Sequence, residues 1–110
     1  MVQHVRQGAI DVISTSDALI ADHLDDLETK LTECLEEGQP HIVLDLNASA
    51  LIDSRGLELL VLSRAHCAQC GGDLKLSGLS PLVKEVLRIT DVASNFDIYE
   101  DPTSAVRSFV

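Results

Sequence analysis

The chain has no tryptophan, one tyrosine (Tyr99) and two phenylalanines (Phe96, Phe109) among its 110 residues. Its core therefore has to be aliphatic, built from Leu, Ile, Val and Ala. Bases are scarce, with 8 Lys and Arg against 18 Asp and Glu, a formal net charge of −10. Such a field repels phosphate backbones and anionic headgroups, which argues against nucleic-acid and membrane-surface binding; it suits a basic protein partner or, on the plainer reading of a charge run, a solvated acidic helix face that keeps the protein in solution. Long apolar runs are absent too. Nothing approaches the roughly 18 to 20 residues that span a bilayer, and no basic start with an apolar run opens the chain. The expectation is a cytoplasmic protein without direct membrane insertion. Three cysteines, Cys34, Cys67 and Cys70, make an odd number, which suits a reducing compartment rather than a disulfide framework. Cys67 and Cys70 form a C-x-x-C, but it ends a helical run and lacks a second ligand pair, so it reads as neither a metal nor a redox motif.

Patterns of catalysis are missing as well. His4, His23, His41 and His66 fall on four different elements, and there is no H-E-x-x-H, no nucleophile elbow and no P-loop. Each histidine reads as a surface residue. The adjacent Asp25 and Asp26 point in different directions on a helix, unlike a carboxylate pair shared around one substrate. A small enzyme using His66 or Cys70 is the weakest reading, and no metal or cofactor is expected.

What is present is an alternation of short elements filling one domain over residues 1–110. Val2 to Val5 and Ala9 to Ser14 read as a hairpin around Arg6-Gln7-Gly8. Leu24, Leu27, Leu31 and Leu35 form one helical stripe, stopped by Gly38 and Pro40. From Asp17 to Asp53 inclusive there are ten acids and a single base, Lys30. Asp22, Asp25, Asp26 and Glu28 sit in that helix's first turns, where the dipole favours negative charge. His41 to Leu46 is too apolar for a half-exposed strand and should be central, covered on both faces. A second helix follows Asp53, with Leu57, Leu60, Val61, Ala65 and Ala68 as its buried stripe, widened by Leu59 and Leu62, and Gly71-Gly72 as its stop. Leu74 and Leu76 alternate as a strand, and Ser80-Pro81 caps a helix carrying Val83, Val86 and Leu87. Phe96 to Tyr99 is a last strand, and Asp101-Pro102 opens a helix with Ala105, Val106 and Phe109 on one face. The order β-β-α-β-α-β-α-β-α predicts an α/β fold, a mainly parallel sheet carrying packed helices.

The informative segment runs from Ile42 through Asp53-Ser54-Arg55-Gly56-Leu57: a buried strand, a short connection, then a small polar cluster opening an apolar helix. Asp53 or Ser54 can cap the first turn, and Gly56 then reads as close packing. The same place can also receive a phosphate, because a helix N-terminus tolerates negative charge.

With these segments in order, from Gln7-Gly8 to Phe109, the sequence resembles the STAS family, the domain of bacterial anti-sigma factor antagonists and of sulfate-transporter tails. The resemblance rests on Ile42-Val-Leu-Asp-Leu46, Ile52-Asp-Ser-Arg-Gly-Leu57, Gly71-Gly72 and the Leu79-Ser-Pro-Leu-Val-Lys-Glu-Val-Leu87 helix start. It implies a binding module, not an enzyme, which when unphosphorylated engages an anti-sigma factor that is also a serine kinase. It further implies phosphorylation at Ser54, ATP bound by the partner kinase, and a serine phosphatase that restores binding. The implied partner surface comprises Asp17, Ile20, Asp53, Arg55, Gly56, Leu57, Glu58 and Ser80. Arg55 can pair with the phosphate or face a partner carboxylate. The chain departs from the family where a Gly-x-Leu-Asp element is common, reading Asp17-Ala-Leu-Ile20. Arg55 replaces a common Ser or Thr, and Glu58 a small residue. These departures also suit a constitutive STAS scaffold, or a soluble subunit of a signalling or transport complex, that is not phosphorylated. The apolar residues of the second helix suit a homodimer face as well as a core.

Overall fold

The computed structural model describes all residues, Met1–Val110. Its strands are β1 (Val2–Gln7), β2 (Ile10–Thr15), β3 (His41–Asp45), β4 (Asp73–Ser77) and β5 (Ile98–Tyr99). Its helices are α1 (Asp25–Leu35), α2 (Ser54–Gln69), α3 (Pro81–Ile89) and α4 (Pro102–Arg107), with 3₁₀ turns at Ala21–His23 and Ala93–Asn95. The expected element order is the observed one.

The five strands form one sheet in chain order, β1 antiparallel to β2 and the remaining pairs parallel. β3 occupies the middle, and Ile42, Val43 and Leu44 have no exposed surface, which is why the sequence shows a continuous apolar run there instead of alternation. On one face Ile13, Ile42, Leu44, Leu74 and Leu76 meet Leu27 and Leu31 of α1, Leu60 of α2, and Val83 and Leu87 of α3. On the other, Ile10 and Val43 meet Ala105 of α4.

Three local expectations are corrected. The hairpin turn is Gly8-Ala9, with Gly8 at φ +64°, because Arg6 and Gln7 stay in the ladder opposite Asp11 and Ile10. A two-residue hairpin needs that positive φ at its first position. In α2 the buried face is Gly56, Leu60, Ser63 and Cys67, while Ala65 and Ala68 are exposed. The helix is rotated from the expected stripe because Gly56 has to face the β2–α1 loop. One histidine is also more than a surface group: His41 is half-buried and stacks on Phe109 with ring centroids 5.1 Å apart, whereas His4 is exposed as expected and bonded to Asp11.

Candidate functional site

In a parallel sheet the loops that follow the strands gather at one end, where ligands and partners of such folds are met. Here the loops after β2, β3 and β4 carry Asp17 and Ile20, then Asp53 and Ser54, then Ser80.

The tip of α2 is built by one carboxylate. Asp53 is the N-cap, in extended conformation, and its Oδ1 accepts hydrogen bonds from the backbone N–H groups of Arg55 and Gly56, each at 3.0 Å. Its Oδ2 accepts the N–H of Ala21 at 3.0 Å, so the same side chain fastens the β2–α1 loop to the helix. Backbone bonds complete the joint: Leu19 N–H donates to Leu51 O at 2.8 Å, and Asp53 N–H donates to Leu19 O at 3.1 Å. Gly56 lies against that loop so closely that a Cβ there would stand 2.1 Å from Leu19 O and 2.9 Å from Ile52 Cγ1. The sequence left the cap open between Asp53 and Ser54; the structure assigns it to Asp53. Ser54 is the first residue inside the helix, exposed, and its side chain has no part in the cap.

The N–H donors of Gly56 and then Ala21 hold the Asp53 carboxyl below its ordinary value of 3.8, since they favour the charged form. A carboxylate with a depressed folded pKa stabilises fully above its unfolded value, and that contribution is lost as pH falls through the folded one. We therefore expect wild type to exceed Asp53→Asn in urea midpoint at neutral pH, with the gap closing below about pH 4. A gap that stays constant down to acid pH would contradict this account of the cap.

Around the tip, the expected residues divide. Arg55 and Glu58 are exposed, and with Leu24, Glu28, Leu59 and Leu62 they line a cleft of about 130 Å³ between α1 and α2. Leu62 is 61% exposed, an apolar side chain beside two charged ones. Leu57 is half-buried against the core. Ile20 precedes the 3₁₀ turn, half-buried. Asp17 takes the Met1 amino group at 2.7 Å and, with Asp22, His23, Asp25 and Asp26, borders an acidic hollow of about 270 Å³. Ser80 lies on the β4–α3 loop, where its side chain caps α3 by accepting the Val83 N–H at 3.4 Å. Leu19 and Ala21 were missed, because they contribute backbone groups and backbone contacts leave no side-chain signature. Cys67 is buried in the core, and burial pushes its thiol up to about 12, which disfavours the thiolate a nucleophile needs at that position.

No helix is long and apolar enough to cross a membrane. The sequence profile of the STAS domain matches residues 2–105. BtrV of Bordetella bronchiseptica, whose name proposes it as an anti-sigma factor antagonist, is 32% identical over 83 residues, covering 76% of this chain and 72% of that protein. Among solved structures, a proposed anti-sigma factor antagonist of Thermotoga maritima superposes with a TM-score of 0.89 at 20% identity, over 96% of this chain and 92% of that one. The anti-sigma factor antagonist SpoIIAA, in its unphosphorylated form, gives 0.82 at 16% identity over 99% and 96%. At those identities the two structures speak for the fold.

Proposed function

The chain belongs to the STAS domain family, and from that membership we propose that it is an anti-sigma factor antagonist switched at Ser54. Unphosphorylated, it binds an anti-sigma factor that is also a serine kinase; phosphorylated on Ser54, it lets go, and a serine phosphatase restores it. The kinase brings the ATP, and this chain supplies a surface rather than a catalytic group. That surface is the tip of α2 with Asp53, Ser54, Arg55, Gly56, Leu57 and Glu58, extended by Asp17 and Ile20 of the β2–α1 loop and by Ser80.

One observation carries the reading. Asp53 holds the first-turn N–H groups, so the Ser54 hydroxyl stands exposed at the helix tip without a structural duty. A serine needed as a cap would cost the fold something when modified; this one is free to be. The acidic hollow bordered by Asp17, Asp22, Asp25 and Asp26 suits a basic partner, as the overall charge does.

Mass spectrometry of the protein isolated from its own host, across growth conditions, tests this directly. The expected result is a phosphate of changing occupancy on Ser54. Its absence under every condition, with a stable partner co-purifying, would favour the constitutive scaffold instead.

A further inference from the structure

Away from the α2 tip, three chemically different donors converge between the edge strand and α1. His4 of β1, Asp11 of β2 and Cys34 of α1 bring Nε2, a carboxylate oxygen and Sγ all within 4.8 Å of one another. His4 Nε2 lies 2.7 Å from Asp11 Oδ1 and 3.8 Å from Cys34 Sγ. The Asp11 side chain is fully buried and that of His4 is 27% exposed; Cys34 is 1% exposed. Sequence spacing hid the group, since its members are 7 and 30 residues apart.

The connectivity excludes a nucleophilic relay. In a Cys–His–Asp relay the thiol and the carboxylate address opposite ring nitrogens. Here both approach Nε2, which leaves three donors facing one point. We propose that His4, Asp11 and Cys34 form a binding site for one zinc-class divalent transition ion, through Nε2, Oδ1 and Sγ, with water as a fourth ligand.

Zinc bonds of roughly 2.0 to 2.3 Å in a tetrahedron put donors roughly 3.3 to 3.6 Å apart, so the 2.7 Å His4–Asp11 contact has to open by roughly 0.6–0.9 Å and the 3.8 Å His4–Cys34 contact to close by roughly 0.2–0.5 Å. The mixed nitrogen, oxygen and sulfur set suits a borderline-soft ion and not magnesium or calcium, which take oxygen donors. The charges close as well. On binding, the Cys34 thiol releases its proton to solvent, and the thiolate with the Asp11 carboxylate neutralises the divalent ion. Arg6, now 3.3 Å from both Asp11 oxygens, already has a shorter bond of 2.7 Å to Glu37 Oε1, and keeps that partner when Asp11 turns to the metal. The bound ion would tie the edge strand β1 to α1.

Calorimetric titration of the full chain with zinc chloride, in excess magnesium to occupy the exposed carboxylates, tests the site. One equivalent is expected to bind. His4→Gln, a change at a part-exposed ring that spares the core, should weaken binding by at least roughly tenfold, since even an outer-shell partner of a metal is worth that much. Cys70→Ser should leave it unchanged. Cobalt should give a thiolate-to-metal charge-transfer band that Cys34→Ser removes. The proposal is overturned if zinc does not saturate one site over magnesium, if His4→Gln binds zinc as wild type does, or if cobalt binds without that band.

Discussion

Ser54→Asp is expected to weaken the complex with the cognate anti-sigma factor about a hundredfold, a change of about 3 kcal/mol, while the protein stays folded. The fold should be indifferent because residue 54 is exposed and is the first residue inside α2. A negative charge there meets the positive end of the helix dipole, which favours it by a few tenths of a kcal/mol or more. Binding should not be indifferent. The N–H groups of Arg55 and Gly56 are already bonded to Asp53, so a new anion at Ser54 cannot turn inward to them. Beside the Asp53 carboxylate it is repelled outward, into the contact, where burying a charge without a partner costs several kcal/mol. A phosphate carries more charge than aspartate, roughly −1.5 to −2 at pH 7, and should act in the same direction more strongly. Ser54→Ala removes a hydroxyl that caps nothing, so its unfolding free energy should stay within about 0.5 kcal/mol of wild type. It should also remain bound when ATP is present. Calorimetric binding and urea unfolding on both variants decide the matter: a folded Ser54→Asp with wild-type affinity would refute the switch.

How far the sequence disclosed this arrangement depends on which atoms make it. The order of elements, the central place of Ile42 to Leu44 and the caps at Ser80 and Asp101 are written in side-chain periodicity and in cap residues. Those are local signals. The rotation of α2 was not legible, because it is set by Gly56 meeting a backbone carbonyl from a loop 37 positions earlier in the chain. Lys75 illustrates the same limit: alternation with Leu74 and Leu76 places it opposite the main core, on a side that reads as solvent. In the structure it is 8% exposed, donating to Ser108 Oγ at 2.7 Å with its Nζ 4.2 Å from the Phe109 ring centre. The covering residues come from the end of the chain, and no window around Lys75 contains them. The candidate site was legible as a polar cluster at a helix start, but the choice between Asp53 and Ser54 as cap needed coordinates. That choice matters, because it frees Ser54.

Gly56→Ala carries the second large expectation, and its sign is the test. At an exposed helical position this change would stabilise by about 1 kcal/mol, since alanine is the better helix former. Here the added Cβ would stand 2.1 Å from Leu19 O, a backbone atom fixed by the Leu19–Leu51 and Asp53–Leu19 bonds. Relief requires the loop to move away from the helix, and overpacking of this kind costs roughly 1–3 kcal/mol. At this chain length each kcal/mol lowers the melting temperature by roughly 4 °C, so thermal unfolding resolves the effect. The shift also acts on the site. A displaced Leu19 loop pulls Ala21 N–H from Asp53 Oδ2 and moves Ile20, so partner binding should weaken at temperatures where the variant is still fully folded. Leu87→Ala supplies the comparison, because truncating a buried leucine costs roughly 2–5 kcal/mol on α3, away from the tip. If Leu87→Ala keeps partner affinity while Gly56→Ala loses it, the geometry of the α2 tip sets binding, beyond any general loss of stability. If Gly56→Ala instead proves as stable as wild type and binds as well, the loop yields cheaply, and the close joint between Leu19 and α2 does not position Ser54.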